Sequence, residues 1–415
     1  MKTLLVTLAL GTLSLAQAAE MRVWTSRKGS TIEAKLSRVS DGKAVLVTAD
    51  PKEITVPVKD LSLADRQHLV EYADQPKDIL TGIEMGVPEE DVRIDKGQFK
   101  KLEEQLVFDE DTELMFDLME SDHFLIATAG KTRPNAVAEM AERLWHGMAF
   151  QHMNFREDWG DKRMVIFIVD DEDTHEELGK WYVRYLEGRG LEGDAARIAQ
   201  TWERSSGSAI SLSNDMQETY NVFARSRVFH VREGTERGYK KVFGPFPTNC
   251  LAKSLLNKQL GGVSNISPKG YFAITTGHAY YKEILLADRS ETTLLDASDY
   301  DSDEIANARG FQDGTSWAKT LRKMVRGDKV QLDFEKMLTW DVSQLTPERL
   351  VTIYSFAYYM NSTPERVSAF AEMVRRIESN KQVPETIEIA KIFGFESVEE
   401  LQNDWIEFVK STKFK

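Results

Sequence analysis

The stretch FGPFPTNCLAKSLLNKQLGG, residues 243–262, leads from a loop into an amphipathic helical pattern and carries the chain's one cysteine, Cys250. A thiol at the first turn of a helix is stabilised as thiolate by the helix dipole, which makes Cys250 a candidate nucleophile. The structural alternatives are a small buried thiol and a bond between chains. A second possible centre is THEELGKW at 174–181, where His175-Glu176 begins like a zinc motif but Gly179 stands where the second imidazole is needed. That stretch reads as a helix start favoured by acidic residues. His68, His123, His146, His152 and His230 show no ligand spacing along the chain, and the six-residue step from His146 to His152 suits neither one helical face nor a zinc pair. Asp299, Asp301 and Asp303 have the first three positions of a calcium loop, but Glu304 takes the place of its glycine and Gly310 that of its bidentate glutamate. Glycine-rich phosphate loops, serine elbows and internal repeats are all missing, so the sequence implies no cofactor and no metal.

The bulk properties narrow the function classes. MKTLLVTLALGTLSLAQAAE opens with Lys2, an apolar run from Leu4 to Leu15 and the small-residue pattern Ala16-Gln17-Ala18. This pattern predicts a signal peptide over residues 1–18, cleaved after Ala18, and hence a secreted or periplasmic protein. No later segment approaches the ~20 apolar residues of a membrane span. Without Lys2, the 53 basic residues become 52 against 67 acidic ones, a net charge of −15. Such a surface repels nucleic acid and anionic lipid, leaving protein or peptide as the expected partner and the oligomeric state open. A single cysteine allows no internal disulfide, so packing must stabilise the fold, and an aromatic content of 10% supports substantial cores.

Residues 20–73 alternate with a period of two. Ile32, Ala34 and Leu36 face one side, Glu33, Lys35 and Ser37 the other, and Val45, Val47, Ile54, Val56 and Val58 continue the pattern. Turn signals at Lys28-Gly29, Asp41-Gly42 and Asp50-Pro51 separate the strands, and Ser62 with Asp65 caps a short closing helix. On Arg22, Trp24, Thr25, Gly29, Ile32, Ala34, Val56-Pro57-Val58, Leu61-Ser62 and Asp65-Arg66, this segment resembles the Sla homology domain (SHD), a small SH3-like barrel of bacterial envelope proteins. The resemblance implies protein or peptide binding. Residues 74–111, rich in charge and poor in aromatics, read as a linker.

From 112 to 300 the pattern is mixed. HFLIATA and MVIFIVD are buried-strand runs, each followed by a helical pattern, SAISLS suggests a further strand, and SRVFHVRE is ambiguous. From 301 to 415 the signals are helical, with N-caps before proline at Thr346-Pro347 and Thr363-Pro364 and a last helix capped by Ser397 and Glu400. This order, NCLAK at 249–253, TGHAYY at 276–281 and the ending IAKIFGFESVEELQNDWIEFVK together resemble the gluzincin and peptidase MA-like proteins. The likeness implies an α+β fold: a small all-β SH3-like barrel, then a mixed α/β gluzincin-like domain with a helical C-terminal half.

The family's zinc chemistry needs two imidazoles one turn apart, a glutamate base and a carboxylate from the next helix. On the resemblance, Asn249 and Lys253 replace the imidazoles, Cys250 the base and Thr276 the carboxylate. All four roles are lost while Leu251, Leu255, Leu256, Gly277, Ala279 and Tyr280 keep the frame. The implied protein is a pseudopeptidase without catalytic residues or metal, with His278, Tyr271, Tyr280 and Tyr281 as possible groove contacts. The rival reading is a hydrolase, either a Cys250/His278 thiol peptidase or an unrecognised metallopeptidase.

Overall fold

The computed structural model describes residues 20–80, 94–108, 114–231, 244–262, 266–292 and 314–414. The signal segment and the acidic loop with Asp299, Asp301 and Asp303 lie outside the described residues. Two compact units share the chain: Met1–Arg93 with His146–Asp158 and Lys253–Lys415, and Ile94–Trp145 with Trp159–Ala252. The fold is α+β, with its sheets in the N-terminal part and helices in the C-terminal half.

In the first unit, β1 (Arg22–Thr25), β2 (Thr31–Ser40), β3 (Lys43–Val47) and β4 (Glu53–Pro57) form an antiparallel meander in chain order. Asp41 and Gly42 both take positive φ, as a two-residue hairpin between right-twisted strands requires. The alternation buries Ala34 and Leu36 with Trp24, Val58, Leu61 and Leu69, but β3 contributes Ala44 and Leu46 to this core, not the expected Val45 and Val47, because Leu36 pairs with Leu46; the Trp24 indole donates to the Ala34 carbonyl at 3.0 Å. Ser62 caps α1 (Leu63–Tyr72), accepting from the Asp65 amide as its spacing predicts. Helix α1 is apolar on two sides: Leu69 enters the meander's core, while Leu63 packs with Val367 and Ala371 of the C-terminal region.

The second unit is built on a six-stranded sheet of β5 (Lys100–Val107), β6 (Met115–Glu120), β7 (Phe124–Ala129), β8 (Met164–Val169), β9 (Gly207–Ser211) and β10 (Arg225–His230), ordered β5-β6-β7-β8-β10-β9. Strands β7, β8 and β10 are parallel, and the outer ones are antiparallel to their neighbours. The continuous run MVIFIV is buried throughout, as a central parallel strand should be. The connections between its strands carry α2 (Pro134–Gln151) and α3 (Phe155–Trp159), of which His146–Asp158 belongs to the first unit, then α4 (Glu172–Gly188), α5 (Glu192–Thr201) and α6 (Asn214–Thr219). Leu178 and Trp181 of α4 join Phe116, Leu125, Val165, Phe167 and Val228 in the core.

The remaining helices are α7 (Pro245–Gln259), α8 (Tyr271–Ala287), α9 (Gly314–Arg326), α10 (Phe334–Met337), α11 (Pro347–Met360), α12 (Pro364–Asn380), α13 (Thr386–Ile392) and α14 (Val398–Lys410). Thr346, Thr363 and Ser397 cap α11, α12 and α14 through their hydroxyls, the first two ahead of proline.

The expected domain layout differs from the observed one in three places. The segment expected as linker contains β5, whose mostly exposed, charge-rich sequence hides an edge strand. Helix α8 and the second half of α7 belong with the C-terminal helices, so no boundary falls at 300. The N-terminal meander falls in the same compact unit as those helices, and Leu63 of α1 packs with Val367 and Ala371.

Candidate functional site

Helix α7 begins at Pro245, so Cys250 stands in its second turn and not in the first as expected, and the Thr248 hydroxyl donates to the Gly244 carbonyl at 2.9 Å. Asn249 is buried and Cys250 half-buried. Burial pushes the Arg227 guanidinium down, and the Cys250 sulfur acts on it in the opposite sense. One turn beyond Asn249, the Lys253 ammonium donates to the Thr276 hydroxyl at 3.3 Å and lies 5.6 Å from the Phe272 ring centre. Lys253 and Thr276 therefore meet across α7 and α8, and a protein cation occupies their contact.

Next to Thr276, Gly277 lets α8 approach α11 closely. A Cβ there would lie 2.8 Å from the Ile353 carbonyl oxygen and 3.1 Å from Ala357 Cβ. Backbone cannot yield as a side-chain tip can, so Gly277→Val is expected to destabilise the protein by about 3 kcal/mol. Urea unfolding of the variant checks this, and a loss below about 1 kcal/mol would contradict the packing.

The four residues expected as groove contacts sit in the core of α8. Tyr271 donates to Asn257, Tyr280 to the Thr292 carbonyl at 3.0 Å, and Tyr281 packs edge-on against Tyr358. His278 is 1% exposed, 5.8 Å from the Phe370 ring centre, and neither ring nitrogen has a hydrogen-bond partner among the described residues. Burial, then Lys282 and His152, hold its pKa well below the ordinary value. An imidazole that resists protonation so strongly is a poor general base.

A constellation absent from the linear pattern lies in the second unit. Strand β8 ends at Val169, and Asp171 caps α4, accepting from the Thr174 amide. Glu172 and His175 occupy the first turn of α4. His230 ends β10, paired in parallel register with Val169 of β8. The His175 and His230 rings stack with centres 3.9 Å apart and planes 11° apart, and His230 Nε2 is 3.2 Å from Glu172 Oε2. Both imidazoles are buried, at 2% and 3% exposure, while the Glu172 side chain is 71% exposed. Trp202 also stacks on His175, with ring centres 5.1 Å apart, and its indole donates to the His175 carbonyl at 2.8 Å.

Gly179, the residue that spoils a helical zinc motif, has a packing reason. A Cβ there would lie 2.4 Å from the Trp202 indole, so only glycine lets that ring reach His175. The second imidazole comes from a neighbouring strand instead of the next helical turn. His175 lies in the acidic helix start that the sequence predicts, and the fold in addition stacks His230 on it. The available signal was that His175 lies just beyond the buried run MVIFIVD and His230 within SRVFHVRE, whose reading as a strand places it at the carboxyl edge of the sheet, where parallel strands in α/β folds present their ligands.

In the first unit, a cleft of about 470 Å³ opens beside α1. Val70, Leu80, Met153, Ala369, Ala371 and Ile392 make its apolar lining, and Glu71, Lys77, Glu365, Glu372 and Arg375 bring charge to it. Arg375 is held by Glu372 at 3.0 Å and approaches Glu71 at 3.8 Å. An apolar floor with fixed charges suits an extended segment that inserts a hydrophobic side chain.

Among the described residues, no helix is long and apolar enough to cross a membrane. No curated protein and no solved structure matches this chain. Residues 13–76 match the family model of SLA1 homology domain 1, SHD1, and with the β1–β4 meander closed by α1 this identifies the N-terminal segment as an SHD1 domain.

Proposed function

We propose that this is a secreted or periplasmic, non-catalytic binding protein whose partner is a protein or peptide segment held beside the SHD1 domain. The carrying observation is the 470 Å³ cleft, because Gln67, Val70 and Glu71 of the SHD1 helix form one wall and Ser368, Ala371 and Arg375 of α12 belong to the same lining. SHD1 and SH3-like domains suggest protein interaction, and the acidic surface disfavours nucleic acid. The rest of the chain is read as a metallopeptidase-like scaffold whose site has lost its function. In support, the ammonium of Lys253 on Thr276 puts a fixed positive charge where that alignment would have a zinc ion. The rival Cys250/His278 peptidase is disfavoured by the buried, poorly basic His278.

A random peptide library displayed on phage, selected against the whole mature chain, tests the proposal. The expected result is a family of peptides sharing one large apolar residue. Val70→Arg, a half-buried position on the cleft wall, is expected to weaken their binding at least about tenfold. Peptides that bind Val70→Arg as well as the parent would remove the cleft from consideration. Thiol-dependent hydrolysis of the selected peptides, lost in Cys250→Ser, would replace the proposal with the peptidase reading.

A further inference from the structure

We propose that Glu172, His175 and His230 bind one divalent transition-metal ion of the zinc type. The inference is independent of the peptide cleft, which lies in the other unit of the fold. Donor chemistry comes first: two imidazoles and one carboxylate suit zinc, cobalt or iron(II), whereas calcium and magnesium favour all-oxygen sites. One ligand atom from each residue lies within 4.8 Å of the others. A tetrahedral ion bound at about 2.0–2.1 Å holds its donors roughly 3.3 Å apart. The Glu172–His230 pair already stands at 3.2 Å, so binding asks chiefly that the stacked rings splay until both lone pairs meet the ion.

The surroundings favour that role. Trp202 holds His175 by ring stacking and by a hydrogen bond to its backbone carbonyl, while β8 and β10 fix His230 in the sheet. Stacking thus restrains the His175 ring, and the hydrogen bond to its carbonyl fixes the backbone that carries it. Both rings are buried, but the exposed Glu172 gives an ion a route from solvent and leaves a fourth position for water or a partner's donor. The α4 N-terminus opposes a cation only weakly, and it carries three acidic residues, Asp171, Glu172 and Asp173, that offset this.

The whole mature chain, stripped with chelator, is titrated with Co²⁺ and followed by visible absorption, with displacement by Zn²⁺ as the second readout. One equivalent of cobalt with the intense bands of low coordination is expected, discharged by zinc. Glu172→Gln, at an exposed position that should not disturb folding, is expected to lower affinity at least about tenfold. His230→Gln is expected to abolish stoichiometric binding, and Cys250→Ser to leave it unchanged. Failure of the parent protein to bind either ion at micromolar concentration overturns the proposal. So does equal affinity in the parent and Glu172→Gln, an outcome that holds even if His230→Gln does not fold.

Discussion

Acidification from pH 7 to pH 5 is expected to lower the stability of the first unit by about 2 kcal/mol for each of His68 and His152. Burial, then Arg22, drives the His68 imidazole down to about 3 from the ordinary 6.5, in a core where it meets Trp24 edge-on and Tyr72. Burial, then Lys282, likewise takes His152 to about 3, and His278 is lowered in the same direction. All three are neutral in the fold, whereas the unfolded chain takes up protons below about 6.5. Their stabilising contribution is therefore fully present above pH 6.5 and is lost as pH falls toward 3.

Glu378 works the other way. Burial, then its hydrogen bond and charge interaction with Asp158, raises it to about 8 from 4.5. Its contribution is fully present below 4.5 and disappears as pH rises through 8, but its partial exposure to water leaves it the smaller effect. Stability is thus expected to peak between pH 6.5 and 7. Urea midpoints at pH 5, 6 and 7 measure the slope, and His152→Leu is expected to flatten it by about one proton. Equal midpoints at the three pH values would show that these histidines do not stay neutral in the fold.

Replacing Asp65 by alanine is expected to cost about 3 kcal/mol, because it leaves the buried Thr25 amide without its acceptor and the half-buried Arg22 with only its more exposed partner. The Asp65 carboxylate binds the Arg22 guanidinium at 2.7 Å, the Thr25 amide at 2.7 Å and the Ser62 hydroxyl at 2.8 Å. It thereby ties β1 to the start of α1. Arg22 lies over the Trp24 ring and has Glu157 as a second, more exposed partner at 3.2 Å. Burial pushes the Asp65 carboxyl above its ordinary value despite Arg22, Thr25 and Ser62, so desolvation outweighs their attraction. The pair fixes geometry more than it adds net stability, and removing one member exposes the whole desolvation cost. Asp65→Asn keeps the shape and an acceptor, and it should be clearly milder than Asp65→Ala. Urea unfolding of both variants decides; a loss under 1 kcal/mol in Asp65→Ala would refute the strut.

Local chemistry made much of the fold legible. The period of two over Ile32, Ala34 and Leu36, the Asp41-Gly42 turn and the Ser62 cap require only residues a few positions apart, and each appears as expected. The buried run MVIFIV and the threonine-proline helix starts follow for the same reason. Strand β5 was hidden because an exposed edge strand needs little apolar sequence, its stability coming from the ladder with β6.

What only the tertiary structure decided is convergence. Gly179 looks like a broken ligand position until Trp202 is seen to need its space, and His230 looks isolated until parallel pairing of β8 and β10 brings it to His175. The second apolar face of α1 likewise gained meaning only when Leu63 met Val367 and Ala371. Periodicity reports which face of an element is apolar. It carries no record of which distant element will cover that face, because that choice is made by shape and burial summed over the whole chain.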